Sequence, residues 1–222
     1  MSINGFLQPH QGIPSTKNYQ ARNGSKAPLG YTTGLGRDLL MAFVIANSTD
    51  SHGNTALINA IQANSMEIAW MLIENGADLN AQNPNGLTAL HYAACRGDQE
   101  LVRLLLTSGA DSNFLNADYE TPLICAAKNG YHRIVPLLMQ FGADPRICDL
   151  QGKGPLAWAI AHNHIHVVES MLRSSARFGY SIVNDSLFHL AASLNQGEIC
   201  RLLLDAKLQR TNPNNGKRLS KF

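Results

Sequence analysis

Apolar and polar positions along this chain repeat with a fixed period. Thr55, Thr88, Thr121 and Gly154 are each 33 residues apart, and a fifth similar stretch begins 32 residues later at Ser186. Each unit contains two apolar segments whose residues are spaced as on one face of a helix. A period of this length predicts an array of similar units, each burying its apolar face against its neighbours.

The first unit shows the plan that the others follow. Its first helix is predicted from apolar residues at i, i+1, i+4 and i+5 within 56–61, and its second from the apolar run at 68–73. Gly76 ends the second helix, because glycine readily adopts the left-handed conformation of a C-cap. A polar residue that bonds its own backbone in turns opens each of the first four units, namely Asp50, Asn83, Asn116 and Asp149.

The same pattern divides the chain into segments. Glycine and proline are too frequent near the start for regular structure, which predicts an irregular leader. Terminal units cannot bury both faces, so the apolar helix at Arg37–Asn47 is interpreted as a cap. The predicted segments are a leader at 1–35, an N-terminal capping helix at 36–49, repeats at 50–82, 83–115, 116–148, 149–180 and 181–208, and a basic flexible tail at 209–222.

Composition narrows the class of protein. A net charge of +2 and a pI near 8.4 do not indicate nucleic-acid binding, for which a basic stripe on the surface is expected. No basic stretch followed by an apolar one starts the chain, and the apolar run Leu39–Ala46 is too short to span a bilayer. We therefore expect a soluble, intracellular and cytoplasmic protein that is monomeric on its own and binds neither nucleic acid nor membrane.

Cysteines and enzyme motifs point away from metal, disulfide and catalytic chemistry. Cys95, Cys125, Cys148 and Cys200 form no C-x-x-C pair or zinc spacing, and Cys125 and Cys200 fall on apolar helix faces. A chain without a disulfide pattern is typical of a reducing compartment. Phosphate-binding, nucleophile-elbow and H-E-x-x-H motifs are absent from the sequence. We expect no catalytic residues, cofactor or metal.

Several motifs carry a resemblance to a known family. Thr88-Ala89-Leu90-His91, Thr121-Pro122-Leu123, Gly76-Ala77-Asp78-Leu79-Asn80 and Gly109-Ala110-Asp111-Ser112-Asn113 resemble the ankyrin repeat over residues 50–208. The resemblance implies an all-α solenoid of about five helix–turn–helix units with projecting hairpin loops, capped at both ends. It also implies that the protein binds other proteins on the concave face formed by loops and inner helices.

Alignment with the family places a set of side chains on that face. The partner-binding residues predicted in this way are Asn85, Leu87, Arg96, Phe114, Leu115, Asp118, Tyr119, Glu120, Lys128, Asn129, Lys153 and His162. The hairpin asparagine of the family is a substrate for hydroxylation, which makes Asn80 and Asn113 candidates for this modification.

Two positions depart from the family pattern. Tyr119 stands where the family has the turn glycine, so this loop tip is either distorted or used for binding. Phe114 and Leu115 lie close by, and they either bind a partner or pack against the next loop. Pro136 falls within a second helix, where it costs little in the first turn but would kink the helix if it lay deeper.

The histidines could suggest a metal or catalytic site, but their positions in the repeat do not favour one. His91 and His189 occupy the position from which the family's histidine bonds the neighbouring loop, so a structural role is expected for both. His162, His164 and His166 alternate, and alternate residues at a helix end point in different directions. An exposed turn is therefore favoured over a zinc site.

Three functions follow from these observations. The first is a non-catalytic interaction module that acts as an adaptor, scaffold or inhibitor. The second is a bacterial effector that uses a eukaryote-like array to engage a host protein, which would place it in the host cytosol. The third and most remote is an enzyme whose activity lies outside the repeats.

Overall fold

A computed structural model describes residues 44–211 of the protein. The predicted leader, most of the predicted N-terminal cap and residues 212–222 of the predicted tail lie outside this range. Residues 44–46 are helical. The helices that follow are α1 Ala56–Gln62, α2 Met66–Glu74, α3 Ala89–Arg96, α4 Gln99–Thr107, α5 Pro122–Lys128, α6 Ile134–Gln140, α7 Pro155–Ala161, α8 Ile165–Phe178, α9 Asp185–Ser193 and α10 Gly197–Thr211.

These helices pack in pairs, and the pairs stack. The first helices α1, α3, α5, α7 and α9 pack on one another in order, and so do the second helices α4, α6, α8 and α10. Helix α2 packs chiefly on α1. Within the described range there is no strand, only an isolated bridge between Thr49 and Thr55. The predicted all-α repeat solenoid is confirmed.

Threonine starts three of the first helices. The hydroxyl oxygens of Thr55, Thr88 and Thr121 accept the backbone N–H three residues later at 3.2–3.4 Å. Each bond satisfies one of the N–H groups that have no partner in the first turn of a helix. The fourth unit has Gly154 at this position and begins instead with Pro155, which needs no N–H partner.

A proline also lies in the first turn of α6. Pro136 is the third residue of this helix, which begins at Ile134. Its missing N–H is therefore one of those that lack an intrahelical partner anyway, so no hydrogen bond is lost. The less disruptive of the two alternatives for Pro136 is the one adopted.

One polar residue closes the loop before each of the helices α1, α3, α5 and α7. Its Oδ1 accepts the backbone N–H groups two and four residues later at 2.8–3.1 Å. Its second side-chain atom is left free to bond elsewhere. The residues concerned are Asp50, Asn83, Asn116 and Asp149, so the predicted turn role of these residues is confirmed.

Asparagine side chains also form hydrogen bonds between successive units. An asparagine Oδ1 in one unit accepts a backbone N–H of the next unit at 2.7–2.9 Å. The pairs are Asn47 with Asp78, Asn80 with Asp111, and Asn113 with Asp144. Because these bonds cross from unit to unit, they fix the spacing of the loops as well as their shape.

His91 adds a further bond across a unit boundary. Its Nδ1 accepts the backbone N–H of Thr88 at 3.2 Å, so the ring proton resides on Nε2, which donates to the carbonyl of Glu120 at 3.0 Å. The structural role predicted for His91 is confirmed. His189 is exposed, and its prediction was wrong, because no loop follows it among the described residues.

The exposure of one leucine that recurs in the repeat differs between an inner unit and the last unit of the array. Leu106 is 3% exposed, whereas Leu204, at the same position of the fifth unit, is 49% exposed. Leu106 belongs to the hydrophobic core of the stacked units, whereas no further unit follows that of Leu204 within residues 44–211. The pair therefore isolates the contribution of stacking between units.

We predict that Leu106→Ala costs far more stability than Leu204→Ala. The first change removes a buried side chain and leaves a cavity, which costs about 2–5 kcal/mol of unfolding free energy. The second removes a side chain that is half in water and should cost about 1 kcal/mol or less. Urea denaturation followed by circular dichroism measures both, and equal losses would contradict the assignment of Leu106 to the interface between units.

We also predict a pH dependence that originates at His91. Burial holds the pKa of His91 below its ordinary value of 6.5, with the bond to Glu120 opposing the shift. Between the lowered pKa and 6.5 the unfolded chain binds more protons than the folded one, so stability falls as pH falls below 6.5. Urea titrations at several pH values should show a flatter profile for His91→Asn than for wild type, and equal slopes for the two would contradict the assignment to His91.

Candidate binding surface

The predicted partner-binding residues occupy two kinds of position. Those in the loops that precede first helices are Asn85, Leu87, Phe114, Leu115, Asp118, Tyr119, Glu120 and Lys153. Those at the last turn or C-cap of a first helix are Arg96, Lys128, Asn129 and His162. We call the two groups together the predicted strip; Glu120 of the first group and Lys128 of the second contact each other.

Trp158 gathers several of these side chains. The ammonium groups of Lys128 and Lys153 each lie 4.5 Å from the centre of its indole ring. The imidazole of His162 stacks on the ring at a centroid distance of 5.4 Å and an interplanar angle of 28°. We call Trp158 and these three side chains, together with Glu120, the tryptophan cluster.

Trp158 is held in place by the residue that closes its loop. Its Nε1 donates to Oδ2 of the buried Asp149 at 2.7 Å, while Oδ1 of Asp149 organises the loop. In the second unit the equivalent bond runs from Asn83 to the hydroxyl of Tyr92 at 3.0 Å. The indole is therefore fixed by a bond that the repeat uses elsewhere, with its ring half-buried beneath the polar groups.

Glu120 performs this role in the third unit, where Cys125 replaces the aromatic residue. Its Oε2 accepts from Asn116 at 3.3 Å, and its Oε1 accepts from the ammonium of Lys128 at 2.5 Å. Burial disfavours the charged amine, but the hydrogen bond and ion pair with Glu120 outweigh it and raise the pKa of Lys128. Lys128 therefore stays charged while it lies against Trp158.

Lys153 differs from Lys128 in its charge balance. Its ammonium lies against the indole but has no carboxylate within 4 Å among residues 44–211. Cation–π attraction to an exposed ring contributes about 0.5–1 kcal/mol, enough to position the chain without neutralising it. The cluster thus presents one compensated and one uncompensated positive charge on the same aromatic ring.

Tyr119 keeps the loop turn that glycine makes in the other units. Its backbone N–H donates to the carbonyl of Asn116 at 3.0 Å, as in the neighbouring loops, and its φ is +61°. The equivalent Gly53, Gly86 and Gly152 have φ values of +71° to +75°. The turn is therefore not distorted, and Tyr119 holds a left-handed conformation that is unfavourable for a side chain of its size.

The side chain of Tyr119 makes few contacts that could offset the cost of this backbone conformation. It is 53% exposed, and no hydrogen bond or ring contact engages it among the described residues. A strained residue with an exposed aromatic ring is typical of a functional position, because the strain is not offset by packing. Asp118, its neighbour in the loop, is also exposed and accepts the backbone N–H of Leu150 through its carbonyl at 3.2 Å.

The other residues of the predicted strip make contacts outside the tryptophan cluster. Arg96 donates to the carbonyl of Gln62 in the preceding unit at 2.5 Å. The carbonyl of Asn85 accepts the backbone N–H of Ala117 at 3.0 Å. Leu87, Phe114 and Leu115 are half-buried, and Asn129 donates back to the carbonyl of Cys125 at 2.8 Å. These residues link neighbouring loops and helix ends.

Sequence reasoning missed Trp158 itself. The signal that identifies it is its position nine residues after Asp149, which matches the nine residues from Asn83 to Tyr92. In both units the aromatic side chain forms a hydrogen bond with the residue that closes its loop. Comparing the units position by position, rather than scanning for motifs, would have found it.

The three alternate histidines do not point in three directions. The rings of His162 and His164 lie nearly parallel, with centroids 5.8 Å apart, because Asn163 between them has a left-handed φ of +54°. His164 Nε2 contacts the carbonyl of Lys128 at 3.0 Å, and His166 Nδ1 lies 4.0 Å from Glu169. Within the described chain, no three His, Cys, Asp or Glu side chains are grouped as a metal site would require.

Comparison with known proteins identifies the class. A family model of ankyrin repeats, comprising three copies, matches residues 30–116 and 90–184. These matches cover more than half of the chain, so the protein belongs to the ankyrin repeat family. No curated protein matches the sequence. None of the helices in 44–211 has the length and apolar character that crossing a membrane requires.

The strain at Tyr119 leads to a prediction that separates backbone from side chain. Tyr119→Gly and Tyr119→Ala both remove the ring, but alanine retains the left-handed penalty, which is about 1–2 kcal/mol. Tyr119→Gly should therefore be more stable than Tyr119→Ala, by about 1 kcal/mol or less once the greater unfolded-state entropy of glycine is included. Urea denaturation measures the difference.

A matched change at an ordinary glycine provides the control. Gly86→Ala should be strongly destabilising, since an added Cβ would lie 2.7 Å from the backbone nitrogen of Ala117. If Tyr119→Ala were as stable as Tyr119→Gly, the left-handed conformation at this loop tip would be contradicted.

Proposed function

We propose that the protein is a non-catalytic interaction module that binds a protein partner through the tryptophan cluster and the neighbouring Tyr119. The observation that carries the proposal is that Lys128, Lys153 and His162, on three different segments, converge on one indole ring. Ankyrin repeats generally mediate protein–protein interaction, and this part of the array combines exposed aromatic and charged groups. It would serve as an adaptor, scaffold or inhibitor.

The physical properties of the cluster suit recognition. Tryptophan and tyrosine dominate binding hot spots, because they bury a large area for a small loss of side-chain entropy. The bond from Trp158 to Asp149 holds the indole before a partner arrives, which reduces the ordering cost of association. The uncompensated ammonium of Lys153 favours a partner that offers a carboxylate to the same patch.

Cellular context follows from the same proposal. We infer a cytoplasmic protein that is monomeric on its own, with its partner in the same compartment. A host-directed effector would use the same surface in a host cytosol, and a translocation assay distinguishes the two settings. Hydroxylation of Asn80 and Asn113 stays a prediction: Asn113 donates its side-chain amide to the carbonyl of Gly142 at 2.9 Å, and mass spectrometry would detect the added oxygen.

Affinity purification followed by quantitative mass spectrometry tests the proposed surface. Lys153→Glu/His162→Ala changes a half-buried and an exposed side chain of the cluster and leaves the Asp149–Trp158 bond intact. We expect recovery of the specific partner to fall by about tenfold or more, as for loss of a hot-spot residue. Tyr119→Ala should lower recovery in the same direction, and circular dichroism confirms that each variant is folded.

A matched variant on another helix controls for surface charge. Glu169→Ala/Arg173→Ala removes an exposed ion pair of 3.0 Å from α8, in the same unit as Trp158. This variant should retain the partner at the wild-type level. Partners recovered equally with all three variants would contradict the assignment of binding to the tryptophan cluster.

A further inference from the structure

Helix α2 carries an apolar surface that the repeat pattern does not explain. Trp70 is 56% exposed, and Met71 beside it is 58% exposed. No ring contact or hydrogen bond engages the Trp70 indole among residues 44–211, in contrast to Trp158. A large exposed aromatic residue without a partner indicates an interaction site rather than a packing position.

The other units show what this position normally holds. In the later second helices the residue at the place of Trp70 is exposed, and it is either charged or has a small apolar surface. These residues are Arg103, Pro136, Glu169 and Arg201. The exposure of Trp70 is therefore specific to the first described unit. Ile68, by contrast, stands where the later units bury an aliphatic residue. Its exposure follows from its place at the end of the described array, and it carries no part of the argument. The same holds for the exposure of Met71, because the later units have Leu104, Leu137 and Leu202 buried or half-buried at its place. Trp70 is therefore the residue that the repeat pattern does not explain.

Two carboxylates border the apolar pair on the same face of the helix. Glu67 lies one turn before Trp70 and Met71, and Glu74 lies one turn after them. Both are exposed, and neither makes an ion pair or side-chain hydrogen bond within the described chain. Seven residues of helix place them about 10 Å apart along the axis, and α2 itself has no basic residue to neutralise them.

We propose that this face of α2, formed by Glu67, Trp70, Met71 and Glu74, binds an amphipathic helix of a partner protein. The partner helix carries two Lys or Arg side chains seven positions apart, with apolar residues at the intervening i+3 and i+4 positions. Its apolar residues cover Trp70 and Met71, and its basic residues meet the two carboxylates. This arrangement complements the acidic–apolar–acidic order of α2 in both spacing and charge.

This surface is distinct from the one in the proposed function. It lies on a second helix of the first described unit, whereas the tryptophan cluster lies on loops and first-helix ends of the third and fourth units. The charge preferences also differ, since α2 offers two unpaired carboxylates and the cluster offers an unpaired ammonium. One chain would thus hold two partners of different chemistry.

Fluorine NMR of the full chain labelled with 5-fluorotryptophan tests the proposal. The protein has two tryptophans, so it gives two resonances, and Trp70→Phe assigns them. The probe is a capped alanine-based helical peptide with Lys at i and i+7 and Leu at i+3 and i+4. The matched control peptide has Glu in place of both Lys.

We expect the Lys peptide to shift the Trp70 resonance and to leave that of Trp158 in place. Its affinity should exceed that of the Glu peptide by roughly fivefold, the effect of two exposed ion pairs. The variant Glu67→Lys/Glu74→Lys should reverse this preference. Because all three changed side chains are exposed, the variants should fold, and the unmoved Trp158 resonance verifies this in the same spectrum.

Several results would overturn the proposal. Equal shifts with both peptides would show an apolar surface without charge selection, and no shift with either would show no docking site. A Trp70 resonance that moves with protein concentration alone would identify a second copy of the chain as the occupant. Protection of Trp70 from a soluble paramagnetic quencher without peptide would show that the chain covers this face itself.

Discussion

Each of the four loops before α1, α3, α5 and α7 closes around the side chain of one aspartate or asparagine. In the fourth unit Oδ1 of Asp149 accepts two backbone N–H groups, at Gln151 and Lys153, and Oδ2 accepts the indole N–H of Trp158. The loop conformation and the position of the indole are therefore set by a single carboxylate. Because Asp149 is buried, replacing it would deprive the loop N–H groups and the indole N–H of an acceptor that water could not easily replace.

The hydrogen bonds made by the loop-closing residue vary from unit to unit, and this variation brings the side chains of the tryptophan cluster together. Where the helix offers Tyr92, Asn83 bonds its hydroxyl directly. Where it offers Cys125, Glu120 takes over and thereby positions Lys128 beside Trp158 of the next unit. The scaffold tolerates these exchanges because the loop needs only one of the two side-chain atoms. The other atom is available to hold a side chain of the following helix or loop, as Asp149 holds Trp158.

Much of the fold could be predicted from the sequence, because its causes are local and periodic. The period of 33, the threonine caps and the loop-opening residues each act within a few positions of themselves. The tryptophan cluster could not be predicted in the same way, since Lys128 and Trp158 belong to different units and meet only through stacking. His189 failed for a related reason: its residue type matched the repeat, but no following loop accepts its bond in the described range.

Tyr119 and Trp70 show how an array can be searched for function. Because every unit repeats the same structural demands, the residue that stacking requires at a given position is known from the other units. Glycine is that residue in the loop at Tyr119, and a polar or small side chain is typical at the place of Trp70. In both cases an aromatic residue replaces it, remains more than half exposed and gains no partner among residues 44–211. No packing or hydrogen bond among the described residues accounts for either replacement, and for this reason both residues stand at the centre of the two proposed interaction surfaces.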